Sequence, residues 1–253
     1  MGYFYVPDLT ASPLLLPAGE AQHCVGVLRA SPGDPITLTD GCGQVAQGRI
    51  ARIDRKEVSV DILARETRPR SLAQQTILGV APTRNADRIE WLLEKAVEIG
   101  LGAFIPILCA RAVRNTLRHE RLLRIALAAL KQSQGAYLPT IHELTPLAAL
   151  PTLLPPSASL RAVAHCMDRA WQSPDTNDST SSALVSTRPL TELLHTPRPL
   201  TILIGPEGDF TPGEVEQLLQ WQFLPVNLGG TRLRTETAAL VATTLAAYRP
   251  LLT

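Results

Sequence analysis

Arg234 stands directly ahead of a helix-forming run, followed by Thr235, Glu236 and Thr237. A guanidinium at a helix N-terminus is mildly disfavoured by the helix dipole. A charge kept there points to an anion met or developed nearby, with a plain surface arginine as the simpler alternative. Thr235 has the residue type of an N-cap, and Glu236 in the first turn complements the dipole. For Glu236 that structural role stands beside a chemical one. Upstream lie two glycine-bearing segments, Ile204-Gly205-Pro206-Glu207-Gly208 and Leu228-Gly229-Gly230. Glycines let a backbone approach a ligand closely. Free N–H and C=O groups beside Leu228 and Leu233 suit a flat heteroaromatic ring, gripped at its edge by hydrogen bonds and on its faces by aliphatic contact. Glu207 argues against phosphate and can accompany a cationic ligand. Neither a GxGxxG fingerprint nor a P-loop is present. Taken alone, the first loop also reads as a strand-to-helix turn without a ligand.

The surrounding elements explain how these residues could meet. An apolar strand at 200–204 feeds the first loop, a short helix follows at 214–221, and a strand at 224–228 feeds the second. A last apolar helix runs to Tyr248. Two such loops at the carboxyl ends of neighbouring strands are where open α/β sheets bind ligands. Earlier, a strand at 76–81 precedes an amphipathic helix at 87–99, with Ile89, Leu92, Leu93, Ala96 and Val97 on one face and Gly100 as its stop. A strand at 103–109, a helix at 118–134 and a strand at 160–165 continue the alternation, which predicts a largely parallel sheet from residue 76 onward. Residues 146–156 are Pro- and Leu-rich and specify little. Residues 173–183 are polar and read as a mobile loop.

Residues 1 to about 70 read differently. Strands at 3–6, 35–39, 44–53 and 57–63, a turn at Asp40-Gly41 with Gly43, and one helix at 20–29 suggest a small barrel or sandwich. The composition of 65–75, with Arg65, Arg68, Pro69 and Arg70, marks a domain boundary.

The chain has 253 residues and a formal net charge of +1. That near-neutrality hides local bias. Residues 84–134 hold nine basic and five acidic side chains, a balance of +4, whereas 201–253 hold three and five, a balance of −2. Phosphate partners fit the first stretch, and a solvated face of mixed charge fits it as well. No apolar run reaches the roughly 18–20 residues of a membrane span, and no secretory leader is expected. The four cysteines form no CxxC pair and have no histidine at ligand spacing, so no metal is expected and a reducing cytoplasm suits them.

Together, the segment 204–208, Leu228-Gly229 and Leu233-Arg234-Thr235-Glu236-Thr237-Ala238 resemble the signature of the RsmE family. These are uridine-N3 methyltransferases of small-subunit ribosomal RNA in the SPOUT superfamily. His23-Cys24-Val25-Gly26-Val27-Leu28-Arg29 is similar to the family's N-terminal helix, and Lys95, Glu98 and Gly100 to the helix of its first βα unit. The resemblance implies a PUA-like β-barrel at 1–70 and an α/β SPOUT methyltransferase domain at 74–253 with a deep trefoil knot. It implies S-adenosylmethionine (AdoMet) as donor, 16S rRNA in the small ribosomal subunit as partner, a homodimer and a cytoplasmic location. Its cofactor residues carry over to Ile204, Gly205, Glu207, Gly208, Leu228, Gly229, Leu233, Thr235 and Ala238. Arg234 would stabilise the uridine anion, and Glu236 would position it or take the proton. With few aromatics, RNA affinity should come from phosphate contacts, for which Arg29, Arg84, Arg88, Arg111 and Arg114 are candidates. Residues 131–139 lack the family's usual Glu and Arg, Asp209 replaces a common second Gly, and Thr231 a common Arg. Those departures leave the cofactor pocket intact and touch target choice, so a different RNA target stays open. Two further alternatives are a non-catalytic RNA- or ribosome-binding protein, told apart by AdoMet affinity, and an unrelated nucleotide-binding enzyme, against which the missing phosphate fingerprints count.

Overall fold

The computed structural model describes residues 2–11, 13–55, 57–155, 159–165 and 187–249. The chain divides into two compact units, Met1–Ser71 with Arg124–Leu138, and Leu72–Leu123 with Pro139–Thr253.

The first unit contains β1 (Tyr3–Tyr5), β2 (Leu14–Leu15), α1 (Ala18–Gln22), a π-helical turn at His23–Val27, β3 (Pro35–Thr39), β4 (Gln44–Asp54) and β5 (Glu57–Thr67). They form one sheet in the order β1-β3-β4-β5-β2. Alternation along β5 puts Val58 and Val60 fully inside with Phe4, Leu14, Leu38 and Ile50. Register shifts at Gln47/Gly48 and Ile50/Arg52 strengthen the local twist and curl the sheet around that core. The β3–β4 turn is fixed by Asp40, whose Oδ1 accepts from the backbone N–H of Cys42 at 2.7 Å and of Gln44 at 2.9 Å.

Three expectations change here. The helix expected at 20–29 starts at Ala18 and widens to π geometry from His23. Strand β5 runs on to Thr67, so Arg65 belongs to a strand rather than a linker, its Nε donating to the Leu9 carbonyl at 3.0 Å. The first unit also recruits residues 124–138 from far along the chain. Lys131 pairs with the nearly buried Glu20 at 2.7 Å, and the Tyr137 hydroxyl donates to the Arg68 carbonyl at 2.7 Å. Gly43 N donates to Ala136 O, and Leu138 N to Gly41 O, both at 2.8 Å. The segment that departs from the family pattern therefore clasps the β3–β4 turn.

In the second unit the order is β6 (Thr76–Val80), α2 (Ala86–Ile99), β7 (Ala103–Leu108), α3 (His119–Gln132, which ends in the first unit), β8 (Thr140–Ile141), β9 (Thr145–Pro146), a 3-10 stretch at Leu147–Leu153, β10 (Leu160–Ala164), β11 (Arg188–Pro189), α4 (Leu190–Leu193), β12 (Leu200–Ile204), α5 (Pro212–Gln220), β13 (Leu224–Asn227) and α6 (Thr235–Tyr248). Every strand pairing is parallel, in the order β11-β13-β10-β12-β6-β7-β8, with β9 also on β7. Strand β12 is buried at all five positions, which is why its sequence is a continuous apolar run. Helix α2 starts on Asn85, whose side chain accepts from Asp87 N at 2.9 Å, and stops at Gly100, which takes the left-handed conformation (φ 101°) open to glycine. Helix α6 is alanine-rich. Ala239, Ala242 and Ala246 are fully buried, letting it lie close against α2 and β6. Residues 173–183, expected as a mobile loop, lie outside the described residues.

No helix of the described residues is long and apolar enough to cross a membrane, and among them no cluster of His, Cys, Asp and Glu could hold a metal. Burial, with Glu214 and Asp209 nearby, pushes the Cys109 thiol up to about 12. Native protein treated with iodoacetamide at neutral pH should therefore be alkylated at exposed Cys42 and spared at Cys109, read by peptide mass spectrometry. The folded state keeps this thiol protonated while the unfolded chain ionises it near 9, so its stabilising contribution is present below that pH and is lost as pH rises toward 12.

Candidate functional site

Parallel strands send all their carboxyl ends to one edge of the sheet, and the site lies there. Strands β12 and β13 are not neighbours, as the sequence suggested: β10 runs between them, paired with both. The loops after β12 and β13 thus flank the residue after β10, His165. The three strand ends enclose a cavity of about 790 Å³ within the second unit, a volume suited to a drug-sized or nucleoside-sized ligand.

All nine residues expected to hold a cofactor line this cavity: Ile204, Gly205, Glu207, Gly208, Leu228, Gly229, Leu233, Thr235 and Ala238. Two structural ties fix the first loop. Thr235 Oγ1 donates to the Gly205 carbonyl at 3.1 Å, joining the start of α6 to the end of β12. Thr235 is therefore not the N-cap. That position belongs to Arg234 (φ −70°, ψ 156°), and Thr235 is the first helical residue, buried by its bond to the loop. On the other side, Arg111 Nη1 donates to the Gly208 carbonyl at 2.8 Å. Arg111, expected among the RNA contacts, forms part of the cavity wall.

Arg234 also lines the cavity, exposed, and its guanidinium has no hydrogen-bond or ion-pair partner among the described residues. Glu236 lies off the wall. It is nearly buried and 3.3 Å from Arg88 Nη1, so its visible work is to hold Arg88, not Arg234. Arg84 and Arg114 share the same side of the unit. Glu207 Oε1 accepts from Arg84 N at 3.3 Å, and Arg114 Nη2 donates to the Arg84 carbonyl at 3.0 Å. Arg29 is exposed in the first unit, in a left-handed conformation (φ 53°) after the π turn.

Sequence reasoning missed two wall residues, His165 and Asp209 as a pair. His165 Nδ1 is 2.8 Å from Asp209 Oδ2, and Asp209 Oδ1 accepts from Phe210 N at 2.7 Å. Asp209 adopts φ 60°, a conformation glycine enters freely and aspartate at some cost. The substitution of Asp for the commoner Gly was the available signal. Its partner was hidden because His165 follows a strand whose place in the sheet the sequence does not reveal.

The family model described as RNA methyltransferase domain matches residues 70–247, and the one described as RNA methyltransferase PUA domain matches 16–63. The chain is 28% identical over 237 residues to the ribosomal RNA small subunit methyltransferase E of Bacillus subtilis, covering 91% of this chain and 88% of that protein. Among solved structures it is similar to a probable rRNA-methyltransferase from Porphyromonas gingivalis, with 38% identity, a TM-score of 0.82 and coverage of 96% and 95%. It is also similar to the ribosomal RNA small subunit methyltransferase E of Neisseria gonorrhoeae bound to S-adenosyl methionine, with 26% identity, a TM-score of 0.78 and coverage of 99% and 98%.

Proposed function

The chain belongs to the RNA methyltransferase family, and from that premise we propose that it transfers a methyl group from AdoMet to N3 of a uridine in 16S rRNA. The observation that carries the reading is the cavity between the ends of β10, β12 and β13. Its contents fit the donor. Ile204, Val226, Leu228, Leu233 and Ala238 offer apolar contact for a purine, two loop backbones offer polar edges, and Glu207 and Asp209 offer negative charge toward a cation. AdoMet, when bound, supplies an electrophilic methyl on a positively charged sulfur.

The protein's own task is to prepare the acceptor. Uridine N3 bears a weakly acidic proton and is a poor nucleophile until the proton leaves. Arg234, unpartnered among the described residues and on the cavity wall, is the group placed to stabilise the resulting anion. Glu236 acts at one remove: by fixing Arg88 it orders the start of α2 beside α6. N3 is on the Watson–Crick edge, so the target base must be unpaired or flipped from its stack. Arg29, Arg84, Arg88 and Arg114 are proposed to meet phosphates, with Arg111 shared between RNA and the cavity wall. A homodimer, a cytoplasmic location and the knotted threading of the C-terminal segment belong to the same proposal.

The decisive experiment incubates the protein with labelled AdoMet and small ribosomal subunits lacking the modification, then maps reverse-transcription stops. A single new stop at a uridine supports the reading. AdoMet binding by calorimetry without any methylation would favour a different RNA, and no AdoMet binding would favour the non-catalytic alternative. RNA affinity should fall steeply with salt, by a log–log slope of about −0.7 per single-strand phosphate contact. Filter binding between low and moderate salt measures it, and a flat response would refute the arginine-to-phosphate assignment.

A further inference from the structure

We propose that His165, held by Asp209, is the general base that removes the N3 proton of the target uridine. This rests on the reading of the cavity as a uridine-N3 methyltransferase site. The placement follows from sheet order: with β10 between β12 and β13, its next residue emerges between the two loops that build the cavity. His165 lines that cavity, as do Arg234 and Asp209. The His165 side chain is only 12% exposed, and its Nδ1 is 2.8 Å from Asp209 Oδ2. This is a close contact rather than a finished hydrogen bond, and such apo contacts commonly tighten once substrate is bound.

A carboxylate against Nδ1 selects the tautomer with its proton on that nitrogen and leaves Nε2 with a free lone pair. The carboxylate also stabilises the imidazolium formed on proton uptake. Asp209 is itself committed to this geometry. It occupies a left-handed backbone position (φ 60°), and its other oxygen is engaged by Phe210 N. Here it is a positioning residue.

The other acceptors are less suited. Glu207 is exposed and takes the Arg84 N–H, and Glu236 is off the wall beside Arg88. Among the described residues lining the cavity, His165 is the one imidazole, the side chain that most often serves as a general base. The charged groups around it on that wall are Asp209 and Glu207 from the loop after β12, Arg111 from the loop after β7, and Arg232 and Arg234 from the loop before α6. In the step, the N3 proton passes to His165 Nε2 and the N3 electron pair forms the new N–C bond. The S–C bonding electrons leave with sulfur as a neutral thioether, and the imidazolium returns its proton to solvent.

The test uses the full chain with His165→Gln, Asp209→Asn and Asp209→Gly. His165→Gln should bind AdoMet as the wild type does, by calorimetry, and lose about 10²–10⁴-fold in single-turnover methylation. The rising limb of the wild-type pH–rate profile should be absent from it. Nitrogen-proton correlation spectra of the ligand-free protein should show the His165 proton on Nδ1, and a tautomer mixture in Asp209→Asn. Asp209→Gly, free of backbone strain, should stay folded and lose rate with Asp209→Asn. Wild-type rates in His165→Gln overturn the proposal. So does loss of AdoMet affinity in parallel with activity, which would make His165 a cofactor contact only. Wild-type protein that neither binds AdoMet nor methylates rRNA would sink the underlying reading instead.

Discussion

Replacing Arg234 by alanine is expected to lower kcat for methyl transfer about 10²–10³-fold, an increase of about 3–4 kcal/mol in the barrier, with AdoMet affinity unchanged. The effect is large because charge develops on the uridine only as its proton departs, so a cation aimed there acts on the transition state more than on bound substrate. The position is prepared by the fold. Arg234 occupies the N-cap position of α6, and the helix start is fastened to β12 by the bond from Thr235 to Gly205. Arg234→Lys should recover part of the loss, since an ammonium keeps the charge without the planar fork. Single-turnover assays with small ribosomal subunits, paired with calorimetry, measure both quantities. A near-normal rate in Arg234→Ala would remove Arg234 from the chemistry.

The second large effect concerns the loop after β13. Gly229 lines the cavity and holds φ 117°, and a Cβ there would meet no other atom within 4 Å. Gly229→Val thus combines two penalties: about 1–2 kcal/mol of backbone strain for a side chain in the left-handed half of the map, and a branched side chain beside the ligand volume. AdoMet binding should weaken at least about tenfold, since each 1.4 kcal/mol is a factor of ten. Gly229→Ala should be milder. The melting temperature should fall by only about 2–8 °C, the shift that such strain produces in a chain of this size. Calorimetry with unchanged affinity in Gly229→Val would show that the ligand does not use this loop.

Much of the site was readable from residue types. The two glycine loops, the apolar strands feeding them and the Arg-Thr-Glu start of α6 are local patterns, and local patterns survive in a sequence. Thr235 was misread as a cap because a threonine before a helix usually serves that way. Its partner, Gly205, is thirty residues upstream. The place of β10 could not be read at all: five residues from Leu160 to Ala164 specify a buried strand, but not which strands flank it. The His165–Asp209 contact was lost with that order. Likewise, nothing periodic marks residues 124–138 as part of the first unit. Tyr137 and Lys131 are spoken for by Arg68 and Glu20, more than sixty residues away in each case.

That return of residues 124–138 to the first unit has a consequence for biogenesis. A nascent chain that has emerged only as far as Ser71 possesses the β strands but not Tyr137, so the amino-terminal unit cannot mature until translation has passed Leu138. The second unit waits longer still, because β6 near its beginning is flanked by β12, whose Leu200 pairs with Thr76. Folding is therefore expected to be late and post-synthetic, with slow, long-range closure.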